Sequence, residues 1–412
     1  MNSGALMDSG LIDPLTPPPR PVSENPVRVW LLLGKYSGDN AQVRGLGDHL
    51  TRRFGWSCET REIHFYHAHK EFREKLPQAI DFSRSDSFSA PFPDVVVSCG
   101  RFYGLVGAWL KQQSARLTGR PMVHVHLGRI AAPMSSIDLI AATAQYGLPA
   151  APNFLPLTLP VVPQDAARAQ TAVAAWAPRL DHLPRPWTVL LAGGSVPRIR
   201  FDAAAADRIA DQAIASARAA GGSLILVVSR RTPGPMRERI AARIAAARDL
   251  SSWSVGWPAP EPNPYPALLA LGDRFIVTCD SASMVADACI TGKPVELARL
   301  PIAEFLTRLS SRGLGLSLDA RCRRRRREGK NTDALDRLRD ALVARHWLRP
   351  WDEIRDFLHS LDTQGLLSGD RAQRIYAVEL DALTTRIAHL VAATRPGASH
   401  PVEPAPVAAG AV

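Results

Sequence analysis

Short apolar runs alternate along the chain with longer stretches in which apolar side chains recur every three or four positions. Val27 to Leu33 is nearly continuous in apolar residues. The turn-forming Gly34-Lys-Tyr-Ser-Gly-Asp39 follows, and Ala41 to Phe54 then has helical spacing. The same order of strand, loop and helix returns at Asp94 to Ser98 with Gly100, a helix over Phe102 to Leu117, and a strand from Pro121 to Leu127. A second set opens with the strand Trp187 to Ala192, closed by Gly193-Gly194-Ser195, then a helix over Ala203 to Ala220 and the strand Ser223 to Val228. After a helix at Pro235 to Ala247 and a Pro-broken loop from Trp257 to Pro266 come the strand Arg274 to Thr278, a helix over Ser281 to Ile290 and the strand Lys293 to Leu297. Strands that are apolar throughout and separated by helices predict parallel sheets covered on both faces. The expected fold class is therefore α/β, with two lobes in tandem.

The rest of the chain divides around these lobes. Residues 1–26 and 395–412 are Pro- and Ala-rich and are expected to be disordered tails. The first lobe is expected over 27–165 and the second over 187–330, joined by a linker at 166–186 that carries Ala177-Pro-Arg and Leu183-Pro-Arg-Pro186. Residues 331–394 are helical in pattern without a strand run, and are expected to close the second lobe and cross back to the first.

A length of 412 residues suits two or three domains at ~150 residues each. With 46% hydrophobic and 22% charged residues, the bulk of the chain cannot be intrinsically disordered. The formal net charge of +11 favours an anionic partner: nucleic acid, lipid headgroups or a phosphate-bearing small molecule. Only six of the 50 basic residues are Lys, a bias that a GC-rich genome produces equally well. Five cysteines without a C-x-x-C pair exclude the usual zinc and redox patterns and fit a reducing compartment. No run reaches the ~18 apolar residues of a membrane span, and Met1 to Pro26 lacks a signal pattern. The expected location is cytoplasmic, with peripheral contact at the inner face of the membrane. That contact is expected through the basic run Arg321 to Arg327, although like-charge runs are more often solvated loops. Nucleic-acid binding ranks last, since no aromatic interleaving accompanies the run.

Ligands of open parallel sheets bind at the carboxyl ends of strands. Four loops lie there: Gly34–Asn40, Gly100–Gly104, Gly193–Arg198 and Asp280–Ser283. Gly193, Gly194 and Ser195 let the backbone approach an anion, or simply form a tight turn. Asp280, Ser281 and Ser283 bring a carboxylate, hydroxyls and amides to a helix start, where they outline a diphosphate cradle; helix capping is the plain alternative. Asp287, four residues past Ser283, shares its helix face and could accept from ribose hydroxyls or be a surface acid. Asp39, beside Ser37, Gly38 and Asn40, could take a proton from an attacking hydroxyl, or Asp39 or Asn40 could cap the helix that follows. His124 and His126 point to one face of a strand; His124 reads as a core residue and His126, at the strand end, as a second candidate base. His64, His67 and His69 read as surface residues, and no further ligand spacing suggests a metal. No G-x-G-x-x-G opening a helix, Walker sequence or G-x-S-x-G elbow is present.

Several stretches together resemble the mitochondrial-fission ELM-type family: Gly34 to Gln42, Leu191 to Ser195 with Arg200-Phe201-Asp202, Ser229 to Pro233, and above all Val277 to Pro294. The resemblance runs from about Val27 to Leu300. It implies two Rossmann-like lobes facing a cleft, as in GT-B glycosyltransferases, with a nucleotide-sugar donor on the second lobe and an acceptor on the first. Asp287 stands five residues before Gly292, where related nucleotide-sugar enzymes place the acid that reaches the donor ribose. Gly38-Asp39 resembles the Gly-Asp pair of heptosyltransferases, with Asp39 as base. Gly100-Arg-Phe-Tyr-Gly104 stands where the family has Gly-Arg-Arg, and Arg101 joins Ser37, Gly38 and Asn40 on the acceptor side. The expected activity is metal-independent transfer of a sugar to an envelope glycan or lipid-linked acceptor, with Arg230 meeting the leaving diphosphate and no cofactor. The alternative is a non-catalytic adaptor on the same scaffold at a membrane or division site.

Overall fold

The computed structural model describes residues 26–66, 76–196, 199–301, 313–350 and 353–394. The expected tails, except for Pro26, lie outside the described residues, as do His67 and His69. The first lobe contains β1 (Arg28–Leu33), α1 (Ser37–Phe54), β2 (Ser57–Glu62), β3 (Val95–Cys99), α2 (Arg101–Thr118), β4 (Val123–Leu127), β5 (Leu139–Thr143) and β6 (Phe154–Leu157). Its six strands form one sheet in the order β2-β1-β3-β4-β5-β6, every pairing parallel. Every residue of β3, β4 and β5 is buried. That is why Val95-Val-Val reads so plainly as a strand, whereas the edge strand β2, Ser-Cys-Glu-Thr-Arg-Glu, has no apolar signal at all.

The second lobe contains β7 (Trp187–Ala192), α4 (Ala203–Ala220), β8 (Ser223–Val228), α5 (Gly234–Ala246), β9 (Ser252–Val255), α6 (Tyr265–Leu271), β10 (Arg274–Thr278), α7 (Ala282–Cys289) and β11 (Val295–Ala298). They form a five-stranded sheet in the order β11-β10-β7-β8-β9, again parallel throughout. The strand order reverses between β1 and β3 in one lobe and between β7 and β10 in the other. Two α/β lobes, each doubly wound about a parallel sheet, therefore carry their switch-point crevices at the loops after these four strands.

Residues 166–186 are more than a linker. Ala166–Leu180 form a helix, α3, whose N-cap Asp165 accepts from the Arg168 amide at 2.9 Å. Ala172, Trp176 and Leu180, spaced by four, bury one face. Trp176 meets Trp253 of β9 at a centroid distance of 5.5 Å, and its indole donates to the Pro262 carbonyl at 2.8 Å, so the helix belongs to the second lobe.

Among the described residues, four helices follow the second sheet: α8 (Gly313–Arg327), α9 (Ala334–Ala344), α10 (Ile354–Gln364) and α11 (Arg371–Thr394). The last of them returns to the first lobe. The Tyr376 hydroxyl accepts from the Val162 amide at 2.9 Å and donates to the Val162 carbonyl at 3.0 Å, and Glu379 accepts from the Thr158 amide and hydroxyl at 2.8 and 2.6 Å. At its start, Gln373 donates to the Ile290 carbonyl of the second lobe at 2.7 Å.

The basic run Arg321 to Arg327 is part of α8, not a solvated loop, and its positive charge is largely neutralised. Arg321 pairs with Asp333 at 2.5 Å, Arg323 with Asp319 at 3.0 Å and Asp356 at 2.6 Å, Arg325 with Asp336 at 3.4 Å and Arg326 with Asp340 at 2.7 Å, while Arg327 also meets Asp356. The acids come from α8 itself, α9, α10 and the turn before α9, so sequence distance hides the pairing. With Arg323 buried and its neighbours engaged in ion pairs, residues 323–327 are not the unpaired cationic run that their sequence suggests.

Candidate functional site

A cleft of about 1780 Å³ runs between the lobes and receives three of the four switch-point loops. On the second lobe, Gly193 and Gly194 are buried under Asp280 and the 229–232 turn. A Cβ on Gly193 would lie 2.2 Å from an Asp280 carboxylate oxygen, and one on Gly194 2.0 Å from the Arg231 carbonyl. The Gly193 amide donates to the Thr278 hydroxyl at 2.7 Å and the Gly194 amide to Asp280 at 2.9 Å. Both amides are thus taken up by the protein, and the two glycines serve close internal packing instead of an anion cradle. Asp280 is the centre of this knot. Its side chain also accepts from the Thr278 hydroxyl at 2.7 Å and pairs with Arg231 at 3.2 Å. Burial raises its carboxyl above the ordinary range while Arg231, the Gly194 amide and Thr278 pull the other way. It braces the loop and is not placed as a ligand group.

The helix start beside it is different. Ser281 is the N-cap of α7 but makes no capping hydrogen bond through its side chain, and the Val285 amide makes the first intrahelical bond, to the Ser281 carbonyl at 3.1 Å. The amides of Ala282, Ser283 and Met284 are thereby left to the cleft, at the positive end of the helix dipole. Capping is not what Ser281 does here. Ser195 is exposed next to this end of the cleft, and Arg230 and Arg231 line it.

One turn into α7, Asp287 also lines the cleft and accepts from the Tyr265 hydroxyl at 2.7 Å. Burial pushes its carboxyl up to about 6, against which the Tyr265 hydrogen bond acts, and the same environment pushes the Tyr265 phenol well above its usual value. A carboxyl raised in the folded state binds its proton more tightly there than in the unfolded chain. Its contribution to stability is therefore present below 3.8 and lost as pH rises through about 6. Asp287→Asn, which can still accept from Tyr265, is expected to be more stable than the wild type by about 3 kcal/mol at pH 8 and equal to it below about pH 3. Urea unfolding of both proteins at the two pH values measures this; a constant difference would contradict it.

On the first lobe, α1 begins at Ser37 with Tyr36 as its N-cap, again without a side-chain capping bond. Asp39 and Asn40 therefore lie inside the first turn, and neither is the cap that their position suggested. Asn40 clamps the preceding loop instead: its side chain accepts from the Gly34 amide at 2.8 Å and donates to the Gly34 carbonyl at 2.7 Å. Tyr103 occupies the space a side chain on Gly34 would need and accepts from the Lys35 amide at 3.0 Å. The Asp39 carboxylate lies over Gly100, whose φ of 80° and missing Cβ make room for it. Ser37, Gly38, Asp39 and Asn40 all line the cleft. A Cβ on Gly38 would stand 3.4 Å from the Ser283 hydroxyl, so the uncapped starts of α1 and α7 face each other across the lobes.

Two sequence-predicted residues fall elsewhere. Arg101 is exposed with its guanidinium 5.4 Å from the Phe102 ring and is not among the residues lining the cleft; Arg44 and Arg129 line the first-lobe side instead. His126 is fully buried. Its Nε2 donates to the Arg129 carbonyl at 2.9 Å, which leaves Nδ1 to accept from the Ser98 hydroxyl at 2.8 Å, and Ser98 in turn accepts from His124 Nε2 at 2.8 Å. Burial lowers the His126 imidazole to about 4. Having no access to the cleft, it is a core histidine, not a base, because its strand is covered on both faces and Gly104 and Gly107 of α2 give the two rings their space. Tyr265 and Arg129 escaped sequence reasoning: the first opens α6 at the end of a Pro-rich stretch without a motif, and only its fold position joins it to Asp287.

The model of the family described as Mitochondrial fission ELM1 matches residues 37–353. The chain belongs to this family. An ELM1-family relative, the Mitochondrial fission protein ELM1 of Arabidopsis thaliana, is 33% identical over 155 residues, covering 36% of this chain and 35% of that protein. Among solved structures, this ELM1-family chain is similar to the UDP-GlcNAc 2-epimerase of Methanocaldococcus jannaschii, with 11% identity, a TM-score of 0.42 and 85% and 99% of the two chains covered. It is also similar to a family 9 glycosyl transferase of Veillonella parvula, with 11% identity, a TM-score of 0.35 and coverage of 67% and 82%. Among the described residues, no helix of the ELM1-family chain is long and apolar enough to cross a membrane, and no group of three His, Cys, Asp or Glu could hold a metal ion.

Proposed function

We propose that the protein transfers a sugar from a nucleoside diphosphate-sugar to a hydroxyl of a glycan or lipid-linked acceptor. The observation that carries this reading is the uncapped start of α7 at the second lobe's switch point, with Ser281, Ser283 and Arg230 around it and the buried Asp287 one turn further on. The acceptor hydroxyl attacks the anomeric carbon, the bond from that carbon to the diphosphate oxygen breaks, and the hydroxyl proton passes to the Asp39 carboxylate. The departing diphosphate keeps the bonding pair, and its charge is met by the α7 amides, the two hydroxyls and Arg230 in place of a metal. Asp287 accepts from the ribose hydroxyls.

Isothermal titration with UDP, GDP, ADP, CMP and dTDP, each with and without EDTA, is the direct test. One nucleotide is expected to bind, unchanged by EDTA, and to bind more weakly to Asp287→Ala. Binding of none would remove the donor site and leave the scaffold as an adaptor. Asp39→Asn, in contrast, is expected to keep nucleotide affinity and lose turnover.

A further inference from the structure

The helix α9 presents a face that nothing in the described structure covers. Leu335 and Leu338 are 45% and 50% exposed on it, Leu342 continues the stripe one turn on, and Trp347, just beyond the helix end, is 77% exposed. The projection of Trp347 has a backbone cause. His346 ends the helix in the left-handed region at φ 58°, the described chain's one non-glycine residue with positive φ, and the Trp347 amide reaches back to the Leu342 carbonyl at 2.8 Å. Three cations rim the same face. Arg337, Arg345 and Arg349 are exposed, and among the described residues no carboxylate pairs with them, unlike the arginines of α8. Arg345 lies 5.9 Å from the Trp347 ring centroid.

We infer that this face of α9, with Trp347 at its tip, docks the protein on an anionic lipid bilayer. A stripe of leucines, a protruding indole and flanking guanidinium groups match the apolar boundary and the negative headgroups of such a surface at once. The protrusion of Trp347, as opposed to a pocket, favours a deformable surface over a protein partner with a fixed complementary shape. The same helical unit reaches the cleft, since Ile354 of α10 lines it and the Glu353 amide donates to the Gln145 carbonyl at 2.9 Å. Docking through α9 would therefore hold the cleft near a lipid-anchored acceptor, but the inference stands on the exposed face and not on glycosyl transfer.

The test is co-sedimentation of the full chain with vesicles of phosphatidylglycerol and phosphatidylcholine, and with vesicles of phosphatidylcholine alone. Binding is expected to the anionic vesicles only and to weaken with salt. Trp347→Ser with Leu338→Ser, and separately Arg337→Gln with Arg345→Gln and Arg349→Gln, are each expected to lower it roughly tenfold or more. Arg324→Gln, on the neighbouring helix, is expected to leave it unchanged. Nucleotide titration of each variant reports folding and the cleft independently of lipid. Retention of vesicle binding by both patch variants would overturn the inference. So would a wild type that ignores both vesicle types, and if that protein is a dimer that Trp347→Ser dissociates, the face belongs to a second copy of the chain.

Discussion

Asp319→Ala is expected to lower the unfolding free energy by about 3–5 kcal/mol, the effect of removing one partner from a buried charge cluster. The carboxylate of Asp319 serves two guanidinium groups, accepting from Arg323 Nε at 3.0 Å on one oxygen and from Arg339 at 2.9 and 2.5 Å on the other. All three side chains are buried, and Arg339 is fully so. Arg323 keeps Asp356, and Arg339 keeps Asp340 at 3.0 Å, but without Asp319 two buried cations share too few acceptors. The damage reaches the first lobe, because Arg323 also donates to the Gln145 carbonyl at 3.1 Å and lies against Gly147, where any Cβ would strike it. Urea unfolding of Asp319→Ala beside Asp319→Asn measures the effect. A loss below about 1 kcal/mol, the range of exposed ion pairs, would show that the cluster is open to water.

Asp280→Ala is expected to cost about 2–4 kcal/mol and to weaken nucleotide binding as a secondary result. Its carboxylate is the acceptor for the Gly194 amide, the Thr278 hydroxyl and Arg231, all at the base of the second lobe's crevice. Truncation leaves the Gly194 amide buried without its acceptor, leaves the Thr278 hydroxyl only the distant Leu191 carbonyl at 3.5 Å, and frees Arg231 from its anchor. A direct ligand role predicts something else: reduced affinity with unchanged stability. Melting curves and nucleotide titration of the same variant therefore separate a brace from a binding group.

The strands most legible in the sequence are those buried on both faces. Val95–Val97, Val189–Ala192 and Leu224–Val228 leave no polar position to interrupt them, and the carboxyl end of Val189–Ala192 located one loop of the cleft. Two edge strands were invisible: Ser57–Glu62 and Ser252–Val255 are held by backbone pairing to one neighbour, and their side chains carry little burial signal. The helix at Ala166–Leu180 was masked by Pro178 and the prolines after it, although its buried positions follow a spacing of four. In the site, residue types were legible and roles were not. Gly193 and Gly194 have the composition of an anion loop, but the contact that requires them comes from Asp280 and Arg231, which only the folded chain brings there. The same holds for Arg321–Arg327, where charge counted along the chain gives a cationic patch and charge counted in space gives ion pairs.

The return of α11 to the first lobe sets an order of assembly on the ribosome. The Val162 amide and carbonyl pair with the Tyr376 hydroxyl, and the Thr158 amide finds its acceptor in Glu379, more than two hundred residues later in synthesis. The lobe that emerges first is thus completed last. Until α11 has been made, the segment after β6 carries bare polar groups and the first lobe an uncovered apolar face awaiting Tyr376, Leu380 and Leu383, a nascent surface of the kind that chaperones hold.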